Sequence, residues 1–551
     1  MKAQLVSLVA LLASTAALAD PALLGALESG DIVTAAKLLD GGADAKARSL
    51  DGTTTLIWAA HYGDEPLVRR LIKAGVDVEA ANDYGATALA EAATRGSAPI
   101  IAALLRADAD ANRPSAEGET PIMVVARTGN IEAAELLVEA GVDVNATEAW
   151  GGQSAVMWAA AQNQPEMVKF LAANGADLDA RGAERDWQRR ILTEPRPKDM
   201  NRVGFSALLY AAREGCLDCA RHLVEAGADI DLPDPERVTP LALAINNLHF
   251  DLAAYLISAG ADVDKWDLFG RTPLYQAIDM STLPNQGSGS MSAIPSLDKH
   301  TSLDIARFLL EAGADPNIQL KRRPPYRNVP NDRGGDRILT QGATPLVRAA
   351  RAGDAPAVKL LLEHGALVDL PGNFGVTPFM AAAGVEYGLR VTRGRNRTEE
   401  GVLATLQLLL DAGADIEARS LVEPALGERP YEGVNNAARQ GDFSFNLRGR
   451  QVPSQHAEPH RTAIHGAAQR GFTYIVEFLA AHGADVEALD ANDRTPLDLA
   501  MGRYNEDFLR QAAEPHEETA KLLEALIAAR QASGAGSSTA ANRAPADAAA
   551  E

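Results

Sequence analysis

Two cysteines stand in this chain, Cys216 and Cys219, in the run EGCLDCARHL. A CxxC at the start of a helix admits three readings: a disulfide, a thiol activated for redox work, or a pair of small buried apolar side chains. No His follows the second Cys and no second CxxC exists, which disfavours covalent haem attachment and a four-cysteine zinc site. A redox enzyme would set the motif in a βαβ context that the flanking residues lack. The run HAEPH gathers His456, Glu458 and His460, but Pro459 breaks the helical spacing that would aim them at one ion. The sequence contains no GxSxG, no phosphate loop of the form GxxxxGK followed by Ser or Thr, no HExxH and no EF-hand loop. The expectation is a non-enzymatic protein with no catalytic residue, no metal and no cofactor.

A second set of side chains points to binding instead: Trp58, His61, Tyr62, Arg95, Arg127, Trp158, Tyr210, Arg213, Arg348, Arg351 and Arg470. Trp, Tyr and Arg are the types most enriched at interface hot spots. All of them occupy matching places in a repeated phrase. Its leading Thr, or a substitute, falls at 21, 54, 87, 120, 154, 206, 239, 272, 344, 377, 462 and 495. A leucine-rich run ending in AGAD or AGVD follows each, and the undisturbed copies keep a period of 33 residues.

Thr-Pro opens a first helix, with Pro where its missing N–H costs nothing. Gly75, Gly141, Gly175, Gly227, Gly260, Gly313, Gly365, Gly413 and Gly483 are expected to close the second helix in the left-handed conformation. Leu and two Ala, at offsets 2, 5 and 6 from the Thr, make a small-residue stripe for close helix packing. One helix pair cannot cover its own apolar faces, so the copies must stack. Offsets 4, 7 and 8 lie opposite that stripe and are expected to face a concave groove. Tyr84, Trp150, Phe269 and Phe374 each precede Gly at the expected tips of the connecting fingers.

The words TPLxxAA and LLxxGADVN resemble the ankyrin repeat, and the resemblance spans nearly all of residues 20–530. It implies an all-α ankyrin solenoid of about twelve helix pairs with hairpin fingers, and a protein partner held in the groove. Inserts near 183–203, 281–301, 318–341, 384–400 and 420–461 interrupt the period. Residues 183–203 carry six basic and four acidic side chains, 318–341 carry six and two, and Arg390, Arg393, Arg395 and Arg397 crowd a short stretch. Guanidinium forks suit carboxylate-rich or phosphate-rich partners; solvated loops held open by charge are the other reading.

The 551 residues carry a net charge of −22, which disfavours nucleic acid and anionic membrane surfaces as partners of the whole chain. The opening MKAQLVSLVALLASTAALAD reads as a signal peptide over 1–19, cut after Ala19. The expectation is therefore a periplasmic or secreted protein, with no membrane span after signal removal. Residues 531–551, QASGAGSSTAANRAPADAAAE, read as a disordered tail. A monomer is expected. The leading function is an exported scaffold; the alternatives are an accessory or protective factor for an exported redox enzyme, and a secreted effector.

Overall fold

The computed structural model describes residues 21–184, 204–281, 296–322, 338–385, 397–420, 460–503, 505–506, 511–512 and 514–532. The expected signal peptide, the greater part of each insert, and residues 533–551 of the tail lie outside them. Among the described residues, twenty-four α-helices follow one another in short pairs. The first run comprises α1 (Pro21–Glu28), α2 (Ile32–Asp40), α3 (Thr55–Tyr62), α4 (Glu65–Lys73), α5 (Ala88–Arg95), α6 (Ala98–Leu105) and α7 (Pro121–Thr128). It continues with α8 (Ile131–Glu139), α9 (Ala155–Ala161), α10 (Pro165–Ala173), α11 (Ala207–Glu214), α12 (Leu217–Glu225) and α13 (Pro240–Asn246).

The second run comprises α14 (Phe250–Ser258), α15 (Pro273–Ser281), α16 (Ser302–Glu311), α17 (Pro345–Ala352), α18 (Ala355–Glu363), α19 (Pro378–Ala383) and α20 (Glu399–Asp411). It ends with α21 (Ala463–Gln469), α22 (Thr473–Ala481), α23 (Pro496–Ala500) and α24 (Glu517–Ala532). A short antiparallel ladder pairs Asn505–Glu506 with Gln511–Ala512 between the last two helices. The chain divides into two compact units: α1 to α13 belong to the first, and α14, up to Ile257, with the helices after it to the second.

The repeated phrase fixes each helix locally. Thr54 caps α3 by accepting from the N–H of Ile57 at 3.1 Å, and Thr239 caps α13 through Ala242 at 3.2 Å. Such caps satisfy donors that the first turn leaves without partners. The second helix begins on Asp64, Asn130 or Asp354, ten residues after the Thr, each accepting from the N–H three residues on. Gly75 closes the second helix at φ +75°, where a Cβ would be strained, and Gly63 closes the first at φ +74°. The expected second-helix glycines all take this conformation.

In the first unit, the stripe of Leu56, Ala59 and Ala60 is fully buried, as are Leu67, Val68 and Leu71 of the partner helix. Each fully buried Leu contributes about 1.5–3 kcal/mol. Consecutive fingers are tied by backbone bonds, Asp83 N–H to Asp51 C=O at 2.9 Å and Ala149 N–H to Glu117 C=O at 3.0 Å.

Three inserts leave and return through paired stems at these fingers. Gly182 N–H donates to Phe205 C=O at 3.1 Å; Leu320 and Ala343 bond at 3.0 Å; Ser420 N–H donates to Arg461 C=O at 3.0 Å. In the second unit, Leu320, Ile338 and Leu339 sink into a core with Tyr275, Val347, Val376 and Met380. The ends of the Arg-rich insert at 318–341 are thus anchored by apolar burial. Of the arginines at 390–397, Arg390, Arg393 and Arg395 lie outside the described residues. Arg397 donates to the carbonyls of Ala382 and Arg351 and lies 5.4 Å over Phe472. The final helix α24 carries no closing Gly and runs to Ala532, past the expected start of the tail.

Candidate functional site

The first helices of the first unit present a continuous row at offsets 4 to 8. Trp58 on α3 is half-buried, donates from Nε1 to Ser49 Oγ at 3.2 Å, and stacks on Tyr62 with ring centres 6.0 Å apart. His61 meets Trp58 edge-on and bonds Glu91 on α5 at 3.0 Å. Arg95 is exposed at the end of α5. Exposed Arg127 on α7 lies over the half-buried ring of Trp158 on α9, 5.1 Å from its centre.

The row continues through a residue that the sequence reading passed over. Trp158 Nε1 donates to Gln153 Oε1 at 3.1 Å, and Gln153 Nε2 donates to the hydroxyl of Tyr210 on α11. Exposed Arg213 lies 4.9 Å over Tyr210. Gln153 precedes the Ser154 that starts its repeat, outside offsets 4, 7 and 8, and its own copy carries no signal for the bridge to Tyr210. The chain Arg127, Trp158, Gln153, Tyr210, Arg213 therefore couples three successive first helices, leaving cations outermost over aromatic faces. At the fingers, Tyr84 is 72% exposed and Trp150 64%.

Three expectations are corrected here. Tyr210 is only 3% exposed: its ring supports Arg213 and its hydroxyl serves Gln153, so it braces the row from beneath. Burial pushes its hydroxyl pKa up, against the Gln153 bond that lowers it. Arg348 and Arg351 are buried, at 0% and 1% exposure. Arg348 Nε donates to Asp279 at 2.7 Å and Arg351 donates to Val385 C=O at 2.9 Å, partners that pull both side chains into the stack. Arg470 is half-buried where α21 ends. Phe269 and Phe374 are also partly covered, Phe269 under Arg271 at 5.6 Å and Phe374 against the apolar core.

Cys216 and Cys219 form a disulfide, and both are buried. Each fills a repeat position. Cys216 Sγ takes the cap role of Asp64, accepting from Cys219 N–H at 3.1 Å, and Cys219 stands where Leu67 packs. Among the described residues, no group of three or more His, Cys, Asp or Glu is arranged around a common ion, and no helix is long and apolar enough to cross a membrane. His456 and Glu458 lie outside the described residues.

Comparison with known families matches this arrangement of paired helices. The profile described as ankyrin repeats in three copies covers residues 23–115, 92–182, 208–320 and 299–420, and a single ankyrin repeat matches 460–491. The chain belongs to the ankyrin repeat family. It is 27% identical over 258 residues to human ankyrin repeat and MYND domain-containing protein 1, covering 42% of this chain and 23% of that one. It is 33% identical over 79 residues to the ARF GTPase-activating protein Git of Drosophila melanogaster, covering 14% of this chain and 11% of that one. It is 30% identical over 131 residues to cyclin-dependent kinase 4 inhibitor B of Rattus norvegicus, covering 24% of this chain and 94% of that one. A solved human ASB11 ankyrin repeat domain aligns at 22% identity and a TM-score of 0.33, over 40% of this chain and 90% of that one. This chain thus spans less than a quarter of the length of the first two relatives. Ankyrin repeats act as protein-interaction modules.

Proposed function

We propose that this ankyrin repeat protein is an exported, non-enzymatic scaffold that binds a protein partner through the first-unit row. The observation that carries this reading is the row of half-buried rings, Trp58 stacked on Tyr62 and Trp158 under exposed Arg127, running on to exposed Arg213 over Tyr210. Large rigid rings that are already oriented lose little entropy on binding, and Arg adds forked donors at their edge. Exposed Tyr84 and Trp150 extend the same surface onto the fingers. The Cys216–Cys219 disulfide supports the export half, because such bonds persist in oxidising compartments.

The test is capture from the exported fraction of the source by immobilised mature chain beginning at Asp20, beside a variant carrying Trp158→Ala, Arg127→Glu and Arg213→Glu. A partner held by the first and lost by the second, with thermal unfolding alike for both, is expected. Equal retention by both chains rejects the row as the site. Sequencing the N-terminus of the native protein tests export directly: Asp20 as first residue is expected, and an intact Met1 overturns it.

A further inference from the structure

Offset 4 in the second unit carries buried polar atoms that have no hydrogen-bond partner. Gln276 on α15 stands four residues after its Thr, and Arg348 on α17 four after its own; α15 and α17 are neighbours in the stack. Asp279, one turn beyond Gln276, takes the Arg348 Nε at 2.7 Å. Arg348 Nη1 and Nη2 are buried with no hydrogen-bond partner, and so are both Oε1 and Nε2 of Gln276, a residue 1% exposed. A buried donor left unmade costs about 1–3 kcal/mol, more when charged. Four such atoms together are unusual where nearly all buried polar groups are paired.

Their chemistry specifies what would satisfy them. The two free amino groups of a guanidinium form one planar edge, which matches the two oxygens of a carboxylate. The Gln276 amide, one turn before the Asp279 that holds Arg348 Nε, offers a donor and an acceptor on the adjoining helix. Arg348 and Gln276 are 0% and 1% exposed, which suits a small ligand and excludes a large one.

We propose that Arg348 and Gln276 form a binding site for a small carboxylate, held by the Arg348 Nη edge with the Gln276 amide beside it. This site is independent of the first-unit row. The test is thermal unfolding and calorimetric titration of the mature chain with acetate, against chloride and inorganic phosphate at equal ionic strength. Acetate is expected to bind saturably and raise Tm by a few degrees, roughly as ligand linkage gives at a hundredfold excess over Kd. Arg348→Met is expected to abolish this response. Should Arg348→Met not fold, Gln276→Leu, which removes only groups without partners, keeps the test: it is expected to weaken acetate binding about tenfold, the equivalent of one lost hydrogen bond. A response equalled by chloride, exceeded by phosphate, or unchanged by Gln276→Leu overturns the proposal.

Discussion

The two units place arginines at offsets 4 and 7 of their first helices and treat them in opposite ways. In the first, Arg127 and Arg213 stay exposed above aromatic rings; in the second, Arg348 and Arg351 are drawn inside. The difference comes from the neighbouring copy. Arg127 finds the face of Trp158 one repeat on, a partner that leaves the guanidinium wet. Arg348 finds the carboxylate of Asp279 one repeat back, a partner strong enough to hold an ion away from water. The repeat offset sets the direction of a side chain, and the residue across the helix interface sets its depth.

That contrast breaks most visibly on deleting the two kinds of arginine. Arg348→Ala leaves Asp279 buried without its Nε donor, a class of change that costs about 3–5 kcal/mol. Arg213→Ala removes an exposed cation and should stay within about 0.5 kcal/mol. Urea unfolding followed by circular dichroism checks both; comparable midpoints would mean that Arg348 is not the internal group described here.

A buried histidine gives the second unit an acid sensitivity of its own. His465 on α21 accepts from Thr462 N–H at Nδ1 and lies 3.2 Å from Arg494 C=O at Nε2, which fixes the neutral form with its proton on Nε2. Burial, with nearby Arg461 adding to it, lowers its pKa to about 4, against the Arg494 bond that raises it. The folded value lies below the ordinary one, so protonation favours unfolding. The stability is fully present above about pH 6.5 and is lost as pH falls toward 4, at most by about 3 kcal/mol. His465→Gln should flatten the stability profile between pH 6.5 and 4; an unchanged slope would assign acid sensitivity elsewhere.

The local half of this fold was legible in the sequence, because caps, closing glycines and the Leu/Ala stripe depend on residues within one copy. Thr54, Asp64 and Gly75 do what their types dictate wherever the phrase occurs. The cysteines were legible as a possible disulfide at the start of a second helix, with Cys219 at a core position, although the cap role of Cys216 was not. The depth of the groove was not legible. Arg348 is buried by Asp279, 69 residues away across an insert that breaks the period, and Trp158 is joined to Tyr210 through Gln153, 57 residues before that Tyr. The missed residues, Gln153, Gln276 and Asp279, share one property: each matters through a neighbour in another copy.

The smallest expected effect sharpens the comparison at the turns. Twenty-five residues after the Thr, Asn112 and Asn145 in the first unit accept from the N–H of Asp143 and Asp177, both at 2.7 Å. Their Nδ2 groups donate to the carbonyls of Gly141 and Gly175. In the second unit Asn317 repeats both bonds, to Leu367 and Gly365, but Asp369 stands at this place before Asp415, as Asp179 does before Asp229 in the first unit. A carboxylate accepts and cannot donate. Burial and then the Asp415 carboxylate hold Asp369 above the ordinary range, against the Asp415 N–H bond that lowers it. The folded value is raised, so the penalty is full above it and fades as pH falls through it, where a protonated carboxyl gains the missing donor. Asp369→Asn should therefore stabilise the second unit by about 0.5–1.5 kcal/mol at neutral pH, with the gain shrinking toward pH 4. Urea midpoints at the two pH values decide it: a gain that does not shrink would locate the benefit in the amide's bond alone, and no gain would mean the Asn ladder of the first unit contributes nothing that Asp lacks.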